Sequence, residues 1–251
     1  VLAQTAEAIE AMRENEDAVD ANAIGEMVSN DPLMTLKVLS YAATHRPARV
    51  VTDTETVTAT LVMMGISPFF RVFGPQPTTA QRLAAHPEAL EGLKEVIQRA
   101  HRGANFALGF AVHRMDPDAP VIHEAALLHD FAEMLLWCHA PSLALRIRQA
   151  QRADPTLRSA AIQQEVLGIQ LADLQQALMK AWRLPELLIR ISDDHHAERA
   201  SVRNVLLAVR LARHTAGGWD NAAIPDDVAD IAALLNLSAG AALHLVRSIE
   251  A

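Results

Sequence analysis

Hydrophobic positions recur along most of the chain at spacings of three and four, the signature of helices with one face turned inward. Residues 1–14 carry Ile9 and Met12 on such a face, and a second short helix is predicted around 23–29. Asn30-Asp31-Pro32 then supplies a cap and a first-turn proline for a third helix from Leu33 to about Thr44, with Leu33, Leu36, Val38, Leu39 and Ala42 apolar. After a loop holding Arg46, Pro47 and Arg49, Thr52 and Glu55 are spaced as a capping box for a helix that runs to Met64 and stops at Gly65. Pro68, Gly74, Pro75 and Pro77 predict an irregular stretch before a long helix from about Pro87 to Val112. Further helices are predicted from Pro141, from Asp154-Pro155 to Gly168, over 170–182, from Leu184-Pro185 and from Ser201 to His214. The last two start at Pro225 and at the Ser238 cap. Strand-like alternation is absent, so the chain reads as all-α.

The stretch from Val121 to His139, VIHEAALLHDFAEMLLWCH, departs from this pattern because it is apolar on nearly every side. A helix of that kind belongs inside a protein, and this one is predicted to be the most buried, with Leu128, Phe131, Ala132 and Leu135 on its core face. Its middle holds His129-Asp130, and a carboxylate in apolar surroundings needs a metal, a cation or hydrogen bonds to compensate it. On a continuous helix these neighbours project about 100° apart, so they would flank a site rather than stack over it.

Composition narrows the classes. The 251 residues are 51% hydrophobic and 4% aromatic, enough to bury a large core as one domain or two closely packed lobes. A formal charge of −8 argues against nucleic acid or an anionic membrane as a partner. One cysteine, Cys138, leaves no internal disulfide and fits a reducing compartment. With no membrane-length apolar run and no opening signal peptide, the expected location is cytoplasmic. A start at Val1 rather than methionine reads as trimming or a fragment of a longer protein.

Candidate chemistry lies in His101, His129-Asp130 and His195-His196, imidazoles and a carboxylate of the kind that holds a divalent cation and activates water. Taken singly, each is equally a core histidine or a helix cap, and spacing alone does not bring them together. Their order is more telling: His101, then LLHD at Leu127–Asp130, AWRLP at Ala181–Pro185, and the histidine pair resemble the HD superfamily. With SNDPLMTLKVL at Ser29–Leu39 and TVTATLVMMG at Thr56–Gly65, the chain is similar to the HDOD family, the HD-related output domains of bacterial signalling proteins. LLNLSAGAALHLV near the end looks like that family's closing helices.

The resemblance implies an HD-like multi-helix bundle with an N-terminal helical lobe, divided as residues 1–85 and 86–251 of one compact unit. Catalytic HD enzymes end their ligand set with an aspartate in a leucine-alanine-aspartate context, where this chain has Leu211-Ala212-Arg213. Leu171 replaces a histidine carried by some relatives, and Ala43-Thr44 stands where the family tends to have an asparagine-serine pair. A cation in place of an anionic ligand weakens divalent metal binding. The implied site is therefore a vestigial pocket of His101, His129, Asp130, His195, His196 and Arg213, with Arg213 paired to Asp130, no catalytic residue, no metal and no cofactor.

The expected function is a non-catalytic signalling or output module that binds a partner protein, or a small ligand in the vestigial pocket. A metal-dependent HD-type phosphohydrolase of a nucleotide or cyclic nucleotide is the alternative. A third reading, nucleic-acid binding through Lys37, Arg46 and Arg49, is opposed by the acidic whole.

Overall fold

In a computed structural model that describes residues 1–45, 54–154 and 156–250, the chain is helical throughout, with no strand among the described residues. The first helices are α1 (Ala3–Glu14), α2 (Ala21–Ser29), α3 (Pro32–Thr44), α4 (Val57–Met64), α5 (Ile66–Val72) and α6 (Thr79–Arg82). The long α7 (Pro87–His113) leads to α8 (Ala119–Leu127), α9 (Phe131–His139), α10 (Pro141–Ala153), α11 (Ser159–Leu167) and α12 (Leu171–Ala181). Then follow α13 (Glu186–Ile191), a 3-10 turn at Asp194–His196, α14 (Ala200–His214), α15 (Ile224–Leu235) and α16 (Ala239–Glu250).

Local chemistry sets many of these ends. Asp31 is the N-cap of α3: its Oδ1 accepts from Leu33 N at 2.9 Å and Met34 N at 3.0 Å, while Pro32 fills the first turn, where no N–H is needed. Gly65, at φ 84°, closes α4 in a conformation that L side chains avoid, and Gly168 at φ 73° does the same for α11. Ser238 accepts from Ala241 N at 3.2 Å, as a cap for α16 should.

Other starts differ from expectation. The N-cap of α4 is Thr56, which accepts from Ala59 N at 3.2 Å; Thr52 lies outside the described residues, as do Arg46, Pro47, Arg49 and Pro155. Pro68 does not interrupt structure, because it falls in the first turn of α5 and so displaces no intrahelical hydrogen bond. Arg199, not Ser201, precedes the first residue of α14.

The chain forms two compact units, each discontinuous in sequence: Val1–Ile97 with Asp130–Pro185, and Gln98–His129 with Glu186–Ala251. The expected cut at 85/86 falls inside the first unit. Within that unit α2 packs on α3 and α4, and α9 is surrounded by α3, α10 and α12. Within the second, α14 packs against α8, α13 and α15, and α15 against α16.

The largest departure is in the apolar stretch. It is two helices, α8 and α9, separated by a turn at Leu128, His129 and Asp130. Leu128 N still donates to Glu124 O at 2.9 Å, but His129 N turns to Ala126 O at 3.3 Å, a tightened last turn. Asp130 then occupies the N-cap position of α9 without a capping hydrogen bond to its side chain, outside the helix interior where aspartate is disfavoured. Burial follows the apolar pattern despite the break: Leu128, Phe131 and Ala132 are buried, whereas Leu135 is half-buried and faces a cavity.

Candidate functional site

The break determines how the histidine-aspartate pair is presented. Two neighbours held in a turn no longer follow helical phase. Asp130 is buried at the head of α9 in the first unit. His129 ends its segment of the second unit, with its Nε2 3.2 Å from Asp194 Oδ1. The His129 side chain is 11% exposed, so this carboxylate meets a largely enclosed imidazole.

Asp194 comes from the 3-10 turn that follows α13, in the run Asp193-Asp194-His195-His196. Asp193 caps that turn through its side chain, accepting from His195 N at 3.2 Å. His195 and His196 are exposed; His196 Nδ1 lies 3.1 Å from Glu198 Oε1 and its Nε2 3.8 Å from Asp193 Oδ2. Asp194 of this turn reaches His129, and sequence reading passed over it for the two histidines beside it. A carboxylate run preceding a histidine pair was the available signal.

His101, half-buried on α7, lies within electrostatic reach of His123 on α8. Burial pushes the His123 imidazole below the ordinary histidine range, and the charge of His101 pushes it the same way. Glu124 beside it is buried as well. Neither residue had been assigned to the pocket.

Arg213 is exposed in the last turn of α14. Its position near the helix C-terminus suits a cation in any case. One turn earlier on the same helix, Arg210 reaches Asp227 at 2.7 Å and Asp230 at 2.5 Å, and His214 Nδ1 reaches Asp227 at 2.6 Å.

Among the described residues, no three or more His, Cys, Asp and Glu side chains stand close enough to hold one metal ion. One contact in this region is the imidazole-carboxylate pair of His129 and Asp194. An imidazole-carboxylate pair can relay or hold a proton, and it can clasp two segments together; water activation by a cation needs a larger set.

A family model described as HDOD domain matches residues 1–198. No curated protein matches the chain. Among solved structures, the MmoQ response regulator from Methylococcus capsulatus is similar at a TM-score of 0.73 and 19% identity, covering 97% of this chain and 95% of that one. A virulence factor from Campylobacter jejuni aligns at a TM-score of 0.64 and 16% identity, covering 94% and 84%. An HDOD domain protein with unknown function from Geobacter sulfurreducens gives a TM-score of 0.50 at 13% identity, covering 100% and 92%. At these identities the likeness is one of fold.

Proposed function

The chain belongs to the HDOD family, and from that premise we propose that it is a non-catalytic output module that acts by binding, passing a signal to or from a partner protein or through a small ligand. The observation that carries this reading is the arginine that takes the place of an acidic ligand. His129 is engaged by Asp194, His195 and His196 face solvent, and a guanidinium, Arg213, stands where the resemblance puts the last acidic ligand. An HD site needs its imidazoles and carboxylates on one cation. The fold shared with a response regulator is consistent with a signalling role.

A metal-dependent phosphohydrolase is the second reading. What favours it is the turn at 193–196, which places two carboxylates and two imidazoles within four residues of one another, one of them touching His129.

The test is metal content and turnover on the same preparation. Protein purified without chelators and dialysed is expected to carry no stoichiometric transition metal. It should not hydrolyse bis(4-nitrophenyl) phosphate or cyclic nucleotides above the blank with Mn²⁺ or Mg²⁺ added. A stoichiometric metal that survives dialysis, together with hydrolysis lost in His129→Ala, overturns the non-catalytic reading.

A further inference from the structure

The first unit contains a cavity of about 360 Å³ that none of the HD-type residues lines. That volume is within the range of small-ligand pockets. Its walls are chiefly apolar, built from Leu33 and Leu36 of α3, Leu135 and Cys138 of α9, and Trp182 after α12. Two cationic side chains also line it, Lys37 of α3 and Arg82 of α6. All of these residues belong to the first unit.

The cations are held but not used up. Lys37 Nζ donates to Gln76 Oε1 at 2.7 Å, which leaves two of its three protons. Arg82 gives Nε to Cys138 O at 2.8 Å and places Nη2 3.0 Å from His139 Nδ1, and these contacts fix the guanidinium plane at the cavity wall. Its Nη1 end keeps its donors, in the fork that matches a carboxylate. The nearby anion is already satisfied: Asp31, fully buried, accepts from Leu2 N at 2.7 Å as well as from Leu33 N and Met34 N. Burial pushes the Lys37 ammonium below the ordinary lysine range, with Asp31 acting in the opposite sense, so an arriving anion would meet a partly desolvated cation.

We infer that this cavity binds a small anion with an apolar body, of the medium-chain or aryl monocarboxylate class, with the carboxylate on Lys37 and Arg82 and the body against Leu36, Leu135 and Trp182. Charge without an apolar body would leave the walls wet, and an apolar body without charge would leave the half-buried Lys37 unmatched beside them; Arg82 is exposed, and the Val1 α-ammonium already donates to Pro77 O at 3.2 Å. The inference rests on this cavity alone and is independent of the catalytic or non-catalytic reading of the histidine site.

The experiment uses octanoate on the intact protein, with acetate and octan-1-ol as controls, read by calorimetry and by alkylation of Cys138. The cysteine lies in the cavity wall and is the one thiol of the chain, so occupancy reports directly on its rate. Octanoate is expected to bind and to slow alkylation by N-ethylmaleimide. Each control should bind about tenfold more weakly or less, as the loss of a charge-assisted hydrogen bond or of the apolar contact implies. Lys37→Met should weaken octanoate about tenfold while leaving the unliganded melting temperature close to that of the parent. Arg82→Gln should weaken it similarly, and serves as the second variant because Arg82 also supports the end of α9. Octanol binding as well as octanoate, Lys37→Met binding octanoate unchanged, or absence of octanoate binding at millimolar concentration would each overturn the assignment.

Discussion

Asp227 is 2% exposed, and its two oxygens are divided between Arg210 Nε at 2.7 Å and His214 Nδ1 at 2.6 Å. Removing the buried carboxylate takes the counter-charge from both partners; their side chains are 40% and 33% exposed, which softens the loss, although Arg210 Nε itself is buried. The cost of Asp227→Ala is therefore expected at the moderate end, about 2–3 kcal/mol by chemical denaturation. His123 makes a pH-dependent contribution of known sign. Its folded-state pKa is depressed below the ordinary histidine value of about 6.5, so the unfolded chain binds the extra proton as pH falls through that value. Stability from this group is complete above pH of about 6.5 and declines below it. His123→Gln should flatten the acid limb of a stability-pH profile between pH 7 and 5; an unchanged limb would assign it to other groups. At this scale the sequence was only half legible. The residue types of the site were readable because imidazoles and carboxylates are rare in apolar runs. The pairing of His129 with Asp194 was not, because the partners lie 65 positions apart in the chain, which local periodicity cannot connect.

Helix α7 carries two glycines whose replacement should have opposite effects, although helix propensity favours alanine at both by about 1 kcal/mol. A Cβ on Gly92 would stand 2.6 Å from the Trp137 indole, a rigid ring with Arg148 set against it, 5.9 Å from its centroid. Overpacking of that kind costs about 1–3 kcal/mol, so Gly92→Ala should be destabilising on balance. A Cβ on Gly103 would meet Val209 at 3.5 Å, ordinary contact, and Gly103→Ala should raise the melting temperature. The two halves of the apolar stretch also separate by truncation. Leu128→Ala should cost about 2–5 kcal/mol, whereas Leu135→Ala, already facing a cavity, should cost distinctly less. Equal losses at the two positions would mean that the cavity closes in solution. Helix existence and many ends were legible because Asp31-Pro32, Gly65 and Gly168 act through their own backbone chemistry. The turn at 128–130 was hidden by uniform hydropathy: an unbroken apolar run reads the same whether one helix or two are buried. Pro68 misled in the other direction, since a proline ends a helix only when it falls beyond the first turn.

At the scale of the whole molecule, burial and charge carry different information. The all-α class followed from composition and periodicity, and the described residues contain no helix that is alone long and apolar enough to cross a membrane. The division into units was less legible. The Pro- and Gly-rich stretch near 75–87 suggested a boundary, yet residues 130–185 associate with the first unit through contacts of α9 with α3, which composition does not encode. The charge balance of 22 basic and 30 acidic side chains bears instead on what the surface attracts. A nucleic-acid partner must draw its affinity from neutralised phosphates, and each contact contributes to a steep loss of binding with salt. Lys37, one of the three basic residues that would supply such contacts, is half-buried against Gln76 rather than presented outward. The protein is therefore expected to pass through heparin and immobilised duplex DNA at about 50 mM salt without retention, and to be held by an anion exchanger under the same conditions. Retention on DNA that falls linearly with the logarithm of salt would count the phosphates engaged and return the N-terminal helices to consideration as a nucleic-acid surface. Retention insensitive to salt would point instead to apolar contact with the matrix, and would leave the acidic surface without a polyanionic partner.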